Sequence, residues 1–192
     1  MTKTENFEKV EVTSQVELRA WLEANHAQTD AVWVVTYKKH TGERYVSTQQ
    51  ILDEVLCFGW IDGIRRKLDD ERTMQLIAPR KAQHWAKSYK DRAQRLIDHG
   101  LMRDAGFAAI EASKANGMWS FMDDVDALVK PDDLEQALDE RPGARAYFDG
   151  FPDSSKRFVL RWIKLAKTEK TRAKRVTRIA ELAQQNERLP SS

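Results

Sequence analysis

Eleven consecutive residues, Cys57-Phe58-Gly59-Trp60-Ile61-Asp62-Gly63-Ile64-Arg65-Arg66-Lys67, combine aromatics, two glycines, one acid and a basic run. No ordinary helix or strand requires that mixture. Ala78-Pro79-Arg80-Lys81 and Trp85-Ala86-Lys87 follow closely. The two pieces read as two walls of one site, with Trp60, Asp62, Arg65, Arg80 and Trp85 as its ligand-binding residues. A carboxylate between Trp60 and Gly63 sits in a partly apolar setting, which raises its pKa unless a cation is near. Arg65 and Arg80 are the candidate cations. Two readings stay open: an acid held by arginine in a pocket floored by Trp60 and Trp85, or a buried ion pair that only fixes the sheet.

A second constellation lies near the C-terminus. Residues 156–178 carry ten bases and one acid, Glu169. Lysines and arginines at helical spacing near aromatics can hold phosphates or RNA. Thr171, Arg172 and Arg175 share a helical face, where a hydroxyl and two guanidiniums could grip an anion. The alternative is internal compensation, because residues 120–140 hold eight acids against the single base Lys130. Cys57 would need an adjacent base to act as a nucleophile. None of the four histidines, His26, His40, His84 and His99, has a catalytic spacing to it. A small thiol at the end of an apolar helix face reads as core. No HExxH, CxxC, Walker loop or GxSxG elbow occurs, so familiar hydrolases and NTPases are disfavoured. No catalytic residue, metal site or cofactor is expected.

The elements that must position these residues follow from the pattern. Ser14 with Glu17 has capping-box spacing, and Leu18, Trp21 and Leu22 give the helix it opens one apolar stripe. Ala31 to Lys38 is rich in β-branched and aromatic residues, a strand. Ser47 with Gln50 opens a second helix, lined by Ile51, Leu52, Val55 and Leu56, and Gly59 stands just past its end. Trp60–Leu68 and Thr73–Ala78 read as two strands joined by a polar hairpin loop, with Pro79 as the stop. Helices follow over Trp85–His99 and from Asp104 to Gly117. Short helices are expected after Pro131 and Pro142, and a helical hairpin carries Trp162-Ile163 and Ile179-Ala180.

With 192 residues, the chain suffices for one sizeable core and a small second lobe. A formal net charge of +2 argues against a generic polyanion binder. No apolar run approaches the roughly 18 residues of a membrane span. The N-terminal residues lack an apolar signal region, and one cysteine allows no disulfide framework, so a cytoplasmic protein is expected. The predicted architecture is a single α+β domain. Residues 1–12 form a flexible arm. Residues 13–119 form a core with a small antiparallel sheet and helices packed on it. Residues 120–192 form a helical part ending in the basic hairpin.

The chain resembles the YdeI/OmpD-associated family, also called bacteriocin-protection proteins. The resemblance rests on Trp21-Leu22, Val32-Trp33-Val34 with Lys38-Lys39, Cys57-Phe58-Gly59-Trp60-Ile61-Asp62-Gly63, Pro79-Arg80, Trp85 and Arg92 with Leu96-Ile97. Gly100-Leu101-Met102, Gly106, Trp162-Ile163, Ala166-Lys167 and Thr171-Arg172 with Arg175 complete it, over roughly residues 15–185. It implies a role in protection against bacteriocins or cationic antimicrobial peptides and association with an outer-membrane porin. It supplies no catalytic residue set. The function expected is therefore a non-enzymatic binding protein of the stress or bacteriocin-protection type, accepting a small polar or anionic ligand or a peptide. The alternatives are an RNA- or nucleotide-binding module using the basic helices, and an enzyme with Asp62 as acid or base.

Overall fold

A computed structural model describes residues 6–190. The chain divides into two compact units, Met1–Ser120 and Phe121–Ser192. The boundary falls where the acidic stretch begins.

The first unit is built on a four-stranded sheet. Strand β1 is Lys9–Glu11, β2 Val32–Tyr37, β3 Trp60–Lys67 and β4 Arg72–Pro79. Their order across the sheet is β1-β2-β4-β3. The three expected strands pair antiparallel, and β1 adds a parallel edge to β2. The flexible arm expected over residues 1–12 is corrected for Lys9–Glu11, while residues 1–5 lie outside the described residues. Three residues are too few to show a strand period. What orders them is the open edge of β2: Trp33 N–H donates to Glu8 O at 2.8 Å, and Val12 N–H to Val35 O at 3.0 Å. Every residue of β2 is buried, as befits a strand inside a covered sheet.

Helix α1 (Gln15–Asn25) starts at Ser14, whose Oγ accepts the Glu17 N–H. Helix α2 (Thr48–Cys57) opens with a complete capping box between Ser47 and Gln50. Lys39–Arg44 forms a 3-10 turn. Helix α3 spans Lys87–Asp98 and α4 Asp104–Ala115. Thus Trp85, expected inside a helix, lies two residues before α3 begins. Leu18, Leu22, Val32, Val34, Ile51, Val55, Ile77 and Leu96 lead the core of this unit.

Gly59 and Gly106 bring α2 and α4 together. A Cβ on Gly59 would lie 2.6 Å from Ala105 O, and one on Gly106 would lie 2.4 Å from Cys57 O. Gly59 also takes φ +72°, so its place after α2 answers both to steric space and to chain direction.

The second unit is helical throughout its regular elements. It comprises α5 (Asp123–Asp126), α6 (Asp132–Asp139), α7 (Ala144–Asp149), α8 (Asp153–Lys164) and α9 (Glu169–Gln184). Leu134, Leu138, Phe148, Val159, Ile163, Val176 and Ile179 form its core. Thr168 caps α9 by accepting the Thr171 N–H at 3.1 Å. Among the described residues, no helix is long and apolar enough to cross a membrane.

Candidate functional site

Strand β3 fixes the two sequence-predicted residues Trp60 and Asp62, and the chain after β4 fixes Arg80 and Trp85. Trp60 is 1% exposed. Its Nε1–H donates to His26 O at 2.9 Å, and its ring meets Trp21 edge-on at a centroid distance of 5.9 Å. Both its apolar body and its polar handle are satisfied within the core. Trp60 is therefore not the floor of a pocket, because its indole N–H is spent on His26 and its ring is packed on Trp21.

Two residues further on, Asp62 accepts a hydrogen bond from Tyr89 Oη. Neither Arg65 nor Arg80 forms an ion pair with it among the described residues. The ladder between β3 and β4 shifts register between Asp62 and Arg65, so the two side chains are re-aimed by a bulge. Gln75 Nε2 fills the bulge by donating to Gly63 O at 2.7 Å. Arg65 instead donates to Thr48 Oγ1 and, at 2.9 Å, to Thr73 Oγ1, and is exposed. It ties β3 to its neighbours and stands apart from the site.

Arg80 and Trp85 do come together. The Arg80 backbone N–H donates to Gly59 O at 3.0 Å, which ties the end of β4 to the glycine before β3. Its guanidinium carbon lies 4.0 Å from the Trp85 ring centroid and 5.7 Å from that of Tyr89. This is cation–π stacking on one ring with a second ring alongside. Trp85 is itself 1% exposed, and its backbone N–H donates to Met118 O at 3.0 Å. Trp119 lies against the same indole at 4.9 Å. Burial pushes the Arg80 pKa down to about 10, against a partial upward pull from Tyr89 and Asp62, so it stays charged at neutral pH. Burial, followed by the hydrogen bond to Asp62, pushes Tyr89 up to about 12.

The hydrogen-bond inventory at this cluster is unbalanced. A guanidinium offers five N–H donors. Arg80 uses one with a protein acceptor, NH1 to Gln83 O at 3.2 Å. Its Nε is buried without a protein partner, and so is Trp85 Nε1. Orphan buried donors cost about 1–3 kcal/mol each, more when charged. Two of them on stacked neighbours call for an acceptor, and one with negative charge suits a cation best.

Tyr89 and Trp119 were not singled out from sequence. Tyr89 lies four residues after Trp85, a spacing that a helix start near Trp85 would have made suspicious. Glu54 was also missed. It is 2% exposed, pairs with Arg19 at 2.9 Å and accepts from Gln15 Nε2 at 2.6 Å. Cys57, beside it, is fully buried, and burial pushes its thiol up to about 11. That is a core thiol held protonated and unreactive.

The second predicted constellation is taken up internally. Arg172 grips Asp133 bidentately, Nε to Oδ2 at 2.7 Å and NH2 to Oδ1 at 2.9 Å. Arg175 NH1 donates to Trp162 O, and its guanidinium lies 4.8 Å from the Trp162 ring centroid. Thr171 Oγ1 accepts from Thr168 Oγ1 at 2.9 Å, within the cap of α9. Lys164 pairs with Asp124 at 2.5 Å. Arg172 and Lys164 are matched to the acidic stretch of residues 120–140, and Arg175 to α8.

Comparison with known families divides the chain along similar lines. Residues 10–109, just over half of it, match the model of a domain of unknown function (DUF8412). The chain belongs to that family. Residues 127–186 match the model described as Bacteriocin-protection, YdeI or OmpD-Associated, the family that the sequence resembles. The Gly59–Gly63 motif and the Arg80–Trp85 cluster lie in the first match, and α9 lies in the second. No curated protein and no solved structure matches the chain.

Proposed function

We propose that this is a non-enzymatic binding protein of the bacteriocin-protection type that seats a small anionic group against Arg80 and Trp85. The group is a carboxylate or phosphate, free or as the C-terminus of a peptide. One observation carries the reading: Arg80 Nε and Trp85 Nε1 are buried donors on stacked side chains, and neither has a protein acceptor. An anion placed there would gain charge-assisted hydrogen bonds in a setting of reduced dielectric. Asp62 then has a positioning role. Its carboxylate holds Tyr89 Oη, and Tyr89 flanks the guanidinium. An acid already engaged by a phenol, with a core thiol as the lone cysteine, gives the enzymatic alternative no observation of its own.

The test is tryptophan fluorescence and melting temperature during titration with acetate, inorganic phosphate and a short peptide with a free C-terminus. The wild type should respond to at least one of the three. Arg80→Met should abolish the response, and Arg65→Ala should keep it. Separate arms for free anions and peptide distinguish a metabolite site from a peptide-end site. If no probe shifts either signal in the wild type, or if Arg80→Met responds equally, the proposed site is wrong.

A further inference from the structure

The bases of the C-terminal helices are not equivalent, and the distinction singles out one face of α9. Lys164, Arg172 and Arg175 are engaged as described, and Lys156 pairs with Asp153 at 3.1 Å. Lys170, Lys174 and Arg178 are exposed and form no ion pair or hydrogen bond among the described residues. Spaced by four, they lie on neighbouring turns of one side of α9. The rise of a helix sets them about 6 Å apart along its axis, about 12 Å from first to last. Val176, Ile179, Ala180 and Ala183 are buried on the other side. Lys167, also exposed and unengaged, stands just ahead of the Thr168 cap and extends the row at its N-terminal end. Glu181, exposed on the same side, ends the row at the other. Glu169 falls on the flank with Arg172 rather than in the row.

We infer that this face of α9 docks the phosphate backbone of a nucleic-acid strand. The inference stands apart from the Arg80 site. Long, unpaired cationic arms at regular intervals along a rigid rod suit a polymer with regularly spaced negative charge. The same face lacks what a membrane-surface helix needs. Such a helix buries large apolar side chains beside its basic ones. The exposed Phe158 belongs to α8 and Leu165 to its C-cap, and no residue of α9 is a large exposed hydrophobe. The row also carries no aromatic on which a base could stack, so the contact should read charge rather than sequence.

The experiment measures fluorescence anisotropy of a labelled single-stranded RNA and of a labelled DNA duplex with the full chain, at about 50 and 200 mM salt. Three or four phosphate contacts predict a log–log salt slope of about −2 to −3 on a single strand. The triple variant Lys170→Gln, Lys174→Gln, Arg178→Gln should weaken binding at low salt more than tenfold and leave the melting temperature unchanged, because all three side chains are exposed. Glu181→Gln should tighten binding a few-fold. Anionic phospholipid vesicles run in parallel. Binding that ignores salt, or a folded triple variant that binds like wild type, would overturn the inference. So would vesicle binding without oligonucleotide binding, which would make the face a membrane surface.

Discussion

Arg80 and Arg172 are the same residue in opposite circumstances. Arg172 is about one-third exposed and meets Asp133 through a planar two-point contact. Arg80 is half-buried, stacked on an indole, and keeps its buried Nε without a protein acceptor. The first is a cation whose partner came with the fold. The second is a cation that the fold partly desolvates and that forms no ion pair among the described residues. Sequence proximity of acids and bases thus identifies little by itself. Asp62 is close to Arg65 in sequence and does not pair with it, while Asp133 lies far from Arg172 in sequence and does.

The contrast can be broken most severely at Trp60. Trp60→Ala should cost about 3–5 kcal/mol in chemical denaturation, since it opens a cavity in the core and strands the His26 carbonyl. Trp85→Phe should cost under about 1.5 kcal/mol, because it removes an indole N–H that has no partner. If the two tryptophans prove equally sensitive, Trp85 is held by more than stacking.

Next in size is Asp62. Its loss strands no arginine, so Asp62→Ala should cost about 1.5–3 kcal/mol, the range for a hydrogen bond to a charged group. A double-mutant cycle with Tyr89→Phe isolates the pair. Absence of coupling would mean that the phenol does not reach the carboxylate.

The Tyr89 phenol also gives a pH signature. Its folded pKa, about 12, lies above the ordinary value of roughly 10. A raised folded value means that the native state holds the proton more tightly than the unfolded chain does. The stabilisation is complete below about pH 10 and is lost as pH climbs toward about 12. Arg80, depressed to about 10, acts in the opposite sense over the same alkaline range. Ultraviolet titration of tyrosinate avoids that cancellation. Tyr37 is also raised, by its hydrogen bond to Glu11, so two of the four tyrosines should ionise late. Tyr89→Phe should remove one late component, and an unchanged titration curve would place Tyr89 in water.

The smallest effect belongs to Arg172. An ion pair as exposed as this one contributes about 0.2–1 kcal/mol, and Arg172→Ala should lose no more than that. Added salt should shrink even this difference. A loss above 2 kcal/mol would show that Asp133 and Arg172 act within a larger network.

The periodic segments were legible in the sequence. The Ser14 and Ser47 caps, the β-branched and aromatic run of β2, the strands on either side of the β3–β4 hairpin and the apolar stripes of α8 and α9 arise from contacts a few residues apart, where chain connectivity already fixes the neighbours. The sequence also marked Arg80 and Trp85, since Pro79 ends the ladder just before them and an isolated tryptophan outside a stripe is conspicuous. What it could not give was the partner of each charged group. Asp62 meets Tyr89 because a bulge turns β3 and because α3 begins two residues after Trp85. Arg172 meets Asp133 because α6 packs on α9. Such pairings are decided by how elements separated by tens of residues come to rest against one another. The free energy that brings them to rest is chiefly the burial of apolar faces, which is indifferent to which charges end up side by side. The acid–arginine pair drawn from sequence therefore gave way to an arginine whose Nε has no acceptor, and only the tertiary structure could show it.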